Sequence, residues 1–172
     1  MPRYDLPNAA PEPLRLVQRF VNTVDTEHGR EWWPTQEAFA AWLAEHSLPA
    51  IADFRRALEL RGSLQALLRA NNGHELEPDT VAAVSRAAER LTLGLDAEGA
   101  LTVAAPEDPL AQIVAVAFEA MLDGSWSRLK ACRQCGWAFY DYSRNRSGSW
   151  CSMQICGNRL KTRAYRRRKA SE

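Results

Sequence analysis

Cysteine is the residue type in this chain best suited to metal chemistry, and all four cysteines lie within 25 residues of each other. Cys132 and Cys135 are separated by two residues, a stretch of fifteen follows, and Cys151 and Cys156 are separated by four. Two short-spaced pairs joined by such a loop are typical of a four-cysteine zinc site. Gly136 suits the tight turn that aims two sulfurs at one point. The spacing predicts a structural zinc ion, because four thiolates leave no open position for a substrate.

Other uses of four cysteines fit the sequence less well. We expect no disulfides, because the N-terminus lacks the pattern of a secretion signal. A thioredoxin-like redox pair needs a βαβ context, and the sequence shows none. An iron site of rubredoxin type uses the same ligands and stays open. The longest apolar stretch, residues 109–122, is too short to span a membrane. These patterns predict a cytoplasmic protein without a membrane segment.

Charge is divided unevenly along the 172 residues. Residues 125–172 contain twelve Lys or Arg and two acidic residues, whereas residues 1–124 contain ten basic and nineteen acidic ones. Such a division indicates an appended module that binds nucleic acid or a membrane surface. It also predicts two domains, 1–124 and 125–172.

Arginine predominates in the basic region, and guanidinium groups bind phosphates and guanine edges. On a helix that advances about 100° per residue, three of the arginines after the last cysteine fall within a sector of about 60°. The candidate nucleic-acid contacts are Arg144 and Arg146 between the cysteine pairs, and Arg159, Lys161, Arg163, Arg166 and Arg167 after them.

The elements that must position these residues follow from periodicity and capping signals. Residues 1–124 are predicted to be mostly helical, with Thr35 and Asp108 as helix caps and one β-hairpin over 91–103. Residues 25–34 are predicted to form a loop. In the C-terminal module we expect a strand over 137–142, a return strand reaching Trp150 and Cys151, and a helix near the second cysteine pair. This order is that of a treble-clef zinc finger.

The N-terminal region carries weaker signals. We find no nucleophile elbow, phosphate loop or paired metal-binding histidines, and therefore expect no catalytic residues and no enzyme activity. Asn22 stands among apolar residues of a predicted helix, and Trp32 and Trp33 lie at the end of the predicted loop. The three residues are a candidate ligand pocket. The alternative is that Asn22 bonds to backbone and that the tryptophans pack in the core.

The segment from Trp150 to Arg159 closely resembles the CGNR zinc finger family, whose name describes residues 156–159 as they stand here. The segment Cys132–Ser147 is similar to the preceding part of the same pattern. Residues 19–23, Arg-Phe-Val-Asn-Thr, resemble the start of the ABATE domain usually found before this finger. The resemblance implies a stress-induced bacterial transcription regulator that uses the finger to bind DNA.

Together, these observations predict a regulator with a mainly α fold and a small β-hairpin. Its helical N-terminal domain would sense a small-molecule effector or form a homodimer, and its zinc-stabilised module would bind double-stranded DNA. The alternatives are an RNA-binding or ribosome-associated protein, a protein-interaction adaptor, and an enzyme in the N-terminal domain.

Overall fold

The computed structural model describes residues 7–50 and 53–159, together with Thr162 and Lys169. The helices are α1 (Arg15–Val21), α2 (Gln36–Glu45), α3 (Phe54–Ala70), α4 (Pro78–Ala88) and α5 (Pro109–Leu122). The strands are β1 (Val24–Asp25), β2 (Arg30–Glu31), β3 (Thr92–Leu95), β4 (Leu101–Ala104), β5 (Leu129–Ala131) and β6 (Ala138–Tyr140). The predicted mainly α fold with a small β-hairpin is confirmed, and two further strand pairs are present. No helix among the described residues combines the length and the apolar character needed to cross a bilayer.

Helix starts follow the capping signals of the sequence. The Thr35 hydroxyl accepts a hydrogen bond from the Ala38 N–H and caps α2. The Asp108 carboxylate accepts from the N–H groups of Leu110 and Ala111 and caps α5, whose first residue is Pro109. These caps satisfy backbone donors that have no partner inside the helix.

Each strand pairs antiparallel with its neighbour along the chain. The predicted hairpin over 91–103 is present as β3 and β4, with Leu93 opposite Val103. The predicted loop over 25–34 is wrong in part, because β1 and β2 form a second, two-residue ladder there. The predicted return strand at Trp150 is also wrong. The partner of β6 is β5, which precedes the first cysteine.

One hydrophobic core extends across the predicted boundary at Gly124. It contains the buried aromatic residues Phe20, Trp33, Phe39 and Trp42 together with leucines of α3. The same core includes residues of both C-terminal strands, Leu129, Ala131, Ala138 and Tyr140. A smaller cluster gathers Phe139 with the buried cysteines. The hairpin of β5 and β6 is therefore part of the main fold, and packs on α3 and α1.

Side-chain amides join the helical part to the C-terminal strands. The Asn22 amide donates to the Ala138 carbonyl (2.9 Å) and accepts from the Ala138 N–H (2.7 Å). At the end of α3, Asn71 donates to the Leu129 carbonyl (2.9 Å) and Asn72 to the Ala131 carbonyl (2.8 Å). These bonds use backbone groups at the strand edges that would otherwise be buried without partners.

Candidate metal centre and basic surface

The first cysteine pair lies in the turn between β5 and β6. The Cys132 N–H donates to the Trp137 carbonyl, and the Gly136 N–H donates to the Cys132 carbonyl, both over 2.9 Å. Gly136 has φ +77°, a left-handed conformation that a residue with a side chain adopts at a cost. This tight turn brings the Cys132 and Cys135 sulfurs to the same side of the hairpin.

The second pair is held by a short π-helical turn, Met153–Gly157. The Ser152 hydroxyl accepts from the Ile155 N–H (3.3 Å), and the Ser152 carbonyl accepts from the Cys156 N–H (2.9 Å). Asn8 donates from its amide to the Cys151 carbonyl (3.2 Å). The predicted helix near the second pair therefore starts as this turn.

The four sulfurs have the arrangement that a tetrahedral ion requires. The Sγ atoms of Cys135, Cys151 and Cys156 are 3.6–3.7 Å from one another, and all four sulfurs lie within 4.8 Å. In a tetrahedral site with zinc–sulfur distances of about 2.3 Å, the sulfurs lie about 3.8 Å from one another. These distances are much longer than a disulfide bond of about 2.05 Å. The residues present therefore fit a zinc ion bound by Cys132, Cys135, Cys151 and Cys156.

Electrostatics at the cluster also favour a bound cation. A hydrogen bond from Cys135 lowers the pKa of the Cys132 thiol, and the same contact raises the pKa of Cys135 to about 12. Contacts with Cys132 and Cys135, together with burial, raise the pKa of Cys151. Without a cation, the cluster thus favours the thiolate at Cys132 and the protonated thiol at Cys135 and Cys151. Four thiolates share this space when a divalent cation offsets their charge.

The loop between the cysteine pairs is organised by a buried lysine that the sequence analysis did not identify. Lys130 lies on β5 and donates to the Asp141 carboxylate (2.8 Å) and to the carbonyls of Arg146 (2.6 Å) and Gly148 (3.2 Å). Asp141 also accepts from the N–H groups of Ser143 and Gly148. A lysine flanked by apolar strand residues gives no sequence signal for this role. We call residues 141–149 the arginine loop.

Both arginines of the arginine loop are exposed to solvent. Arg146 donates to the Ser127 hydroxyl (2.9 Å), and no acidic partner of Arg144 or Arg146 is found among the described residues. Arg159 is also exposed but forms an ion pair with Glu27 of the β1–β2 turn (2.7 Å). Lys161, Arg163, Arg166 and Arg167 lie outside the described residues.

The candidate ligand pocket is not a cavity open to solvent. Trp33 is 2% exposed and packs against Phe20 and Trp42, and Asn22 is 1% exposed with its amide bonded to Ala138. Trp32 is half-buried, and its ring meets that of Trp137 edge to face. This placement corrects the pocket hypothesis, because Asn22 and Trp33 offer almost no accessible surface to a ligand.

Comparison with known families agrees with this geometry. The family model of the ABATE domain, described as "Putative stress-induced transcription regulator", matches residues 14–125. The model of the CGNR zinc finger matches residues 128–169, which include all four cysteines. No curated protein matches the chain. The four cysteines hold a structural zinc ion, as the sequence predicted. Since the first match covers more than half of the sequence, the chain belongs to the ABATE family and carries a CGNR zinc finger after that domain.

Proposed function

We propose that this protein is a transcription regulator that binds double-stranded DNA through its zinc finger, with the ABATE domain controlling the presentation of the basic surface. The family descriptions support a regulator with a zinc finger. The excess of basic residues in 125–172 supports a polyanionic partner. Four sulfur ligands leave no open coordination position for a substrate, so we assign the metal a structural role and no catalytic step.

The observation that carries the proposal is the position of the exposed arginines relative to the zinc ligands. Lys130 donates hydrogen bonds to two carbonyls of the arginine loop, which contains Arg144 and Arg146. One cysteine pair precedes this loop in the sequence and the other follows it. Arg159 follows Cys156 by three residues at the start of the basic tail. Zinc thus fixes two arginine-bearing segments relative to each other, which a phosphate backbone requires for several simultaneous contacts.

The ion pair between Arg159 and Glu27 supports a regulatory part for the ABATE domain. The Glu27 carboxylate accepts a hydrogen bond from the Arg159 guanidinium, the group that a phosphate would bind. Glu27 belongs to the acidic part of the chain, residues 1–124. DNA phosphates therefore compete with Glu27 for Arg159. A change in the β1–β2 turn would alter how much of the basic surface is available.

Binding to a labelled 20-bp duplex and to an RNA hairpin of matched sequence, each over a series of salt concentrations, tests the proposal. We expect DNA affinity to fall steeply between about 50 and 200 mM salt, because bound phosphates release counterions. The double variant Arg163→Glu/Arg166→Glu should lose about tenfold or more in affinity. The matched control is Arg3→Glu/Arg55→Glu, which reverses the same number of charges within residues 1–124.

Equal DNA affinity of the wild type and the Arg163→Glu/Arg166→Glu variant would contradict the proposal and favour a protein-interaction adaptor. Stronger and more salt-dependent binding to the hairpin would favour the RNA-binding alternative. Selection from random DNA, with and without a zinc chelator, then identifies the preferred site. The homodimer stays a proposal, and sedimentation of the zinc-loaded protein with and without DNA tests it.

A further inference from the structure

A cavity that is separate from the metal centre lies where α3, α4 and α5 meet. Its volume is about 220 Å³, and its walls come from all three helices. Neither the cysteines nor the residues of the candidate pocket line it. Ligand pockets for drug-sized molecules have volumes of about 300 Å³ or more. The cavity can therefore hold the body of a small molecule only.

Three arginines, Arg56, Arg86 and Arg90, line this cavity. Arg90 forms an ion pair with Asp108, whereas no carboxylate pairs with Arg56 or Arg86 among the described residues. Glu59 also lines the cavity, but its carboxylate accepts from Arg55 (3.0 Å), on the exposed side of α3. Only ten basic residues occur among residues 1–124, which carry nineteen acidic ones. Three of those ten therefore meet at one cavity in an otherwise acidic domain.

Apart from Asp108, which also lines the cavity and pairs with Arg90, the remaining wall is apolar. Leu60 from α3 and Leu110 and Ala111 from α5 are buried, and each is less than 7% exposed. Guanidinium groups match a carboxylate with two parallel hydrogen bonds, while the apolar wall favours hydrocarbon or an aromatic ring. The cavity thus combines the two properties that recognise an amphiphilic anion.

We propose that this cavity binds a small organic monocarboxylate. The carboxylate pairs with Arg56 and Arg86, and the apolar body covers Leu60 and Ala111. Inorganic phosphate would satisfy the arginines but leave the apolar wall in contact with water. A neutral amide of the same shape would lack the charge that the two guanidinium groups require.

The position of α3 makes this cavity suitable for an effector. Arg56 stands in the first turn of α3, and the residues directly after its last turn, Asn71 and Asn72, donate hydrogen bonds to the backbone of β5. One rigid helix therefore connects the cavity wall with the hairpin of the zinc finger. The biological role of this site rests on the proposed regulatory function of the ABATE domain. Ligand binding itself does not depend on that function.

Calorimetric titration of the full-length, zinc-loaded protein with hexanoate and with benzoate tests the inference. Hexanamide, benzamide and inorganic phosphate are the matched ligands. We expect the two acids to bind with millimolar or lower Kd, and the amides and phosphate to bind about tenfold more weakly, as expected for the loss of a charge-assisted pair or of apolar contact. Arg56→Gln and Arg86→Gln should each weaken hexanoate binding about tenfold, whereas Arg69→Gln, at an exposed arginine of α3 that does not line the cavity, should leave it unchanged.

Each contrary result overturns a distinct part of the inference. No binding of either acid at about 10 mM would exclude the site, since even a single charge-assisted contact with apolar burial gives a measurable Kd in this range. Equal binding of acids and amides, or unchanged binding to Arg86→Gln, would remove the role of the arginines. Circular dichroism confirms that the variants fold. Because no nucleic acid is present, failure here is distinguishable from failure of the proposed DNA binding.

Discussion

At the scale of single residues, the buried pair of Lys130 and Asp141 determines the shape of the arginine loop. Both residues are nearly inaccessible, at 5% and 3% exposure. Burial raises the pKa of the Asp141 carboxyl, but hydrogen bonds from Lys130, Ser143 and Gly148 outweigh burial and lower it to about 2. Gly148 makes this possible, because a Cβ at that position would lie 2.7 Å from the carboxylate. The charges are stabilised because every polar contact of the pair is satisfied.

Asp141→Asn should destabilise the fold by about 3–5 kcal/mol at neutral pH, because it leaves the Lys130 ammonium buried without a counter-charge. A carboxyl whose pKa is lowered on folding stabilises the native state above its unfolded pKa of 3.8. That stability is lost as the pH falls through about 2. Urea unfolding of the wild type and the variant should therefore show a constant difference above about pH 5, which shrinks in acid. A difference below about 1 kcal/mol at pH 7 would contradict this role.

At the scale of elements, the end of α1 holds the zinc finger through backbone recognition. Asn22 follows α1 and bonds to both backbone groups of Ala138, the first residue of β6. Gln18, one turn earlier, donates to the same Ala138 carbonyl (3.1 Å). Thr26, in the β1–β2 turn, makes a longer bond of 3.4 Å to the Cys135 carbonyl. The buried hydrogen bonds are thus made to β6, and the exposed one is made to the turn that contains Cys135.

Asn22→Ala should lower the free energy of unfolding by about 1–3 kcal/mol, because the buried Ala138 N–H loses its acceptor. Thr26→Ala is the matched control, since its bond is long and exposed, and should change stability by less than about 0.5 kcal/mol. Chemical denaturation measures the free energy of unfolding of both variants, provided that their m-values equal that of the wild type. Equal effects of the two substitutions would show that α1 does not hold β6 through Asn22.

At the scale of the whole molecule, the zinc finger and the ABATE domain share one hydrophobic core. The sulfur cluster is joined to that core through β5 and β6, which pack on α3 and α1. The N-terminal segment also takes part, because the Asn8 carbonyl accepts from the Tyr140 N–H (2.9 Å) and the Ala9 carbonyl from the Tyr142 hydroxyl (2.7 Å). We therefore expect loss of the metal to affect the helical part as well.

Removing zinc with a chelator should lower the melting temperature of the entire chain in one cooperative transition. Structural zinc contributes on the order of 10 kcal/mol in small modules, and here the loss propagates through the shared core. Hydrogen exchange should show lower protection in α1 and in the last turn of α3 as well as in β5 and β6. Cys156→Ser with zinc present is the companion variant and should behave similarly. Unchanged protection of α1 would show instead that the finger unfolds alone.

Local signals allowed several features to be predicted from the sequence. The spacing of Cys132 and Cys135 specifies a tight turn, and Asp108 before Pro109 specifies a helix start, because these preferences involve only neighbouring residues. The partner of β6 could not be predicted, because Trp150 and Leu129 flank the strand at similar separations and both suit a hairpin.

By itself, the sequence determined the metal ligand set, the mainly α fold and the uneven distribution of charge. Only the tertiary structure decided the roles of Asn22 and Trp33. Asn22 bonds to Ala138, 116 residues further along the chain, and Trp33 packs within the aromatic core. It also decided that Arg159 meets Glu27 and that Arg56 and Arg86 line one cavity. Ligand spacing and capping depend on short-range geometry, whereas the burial and pairing of a side chain depend on which distant elements the core brings together.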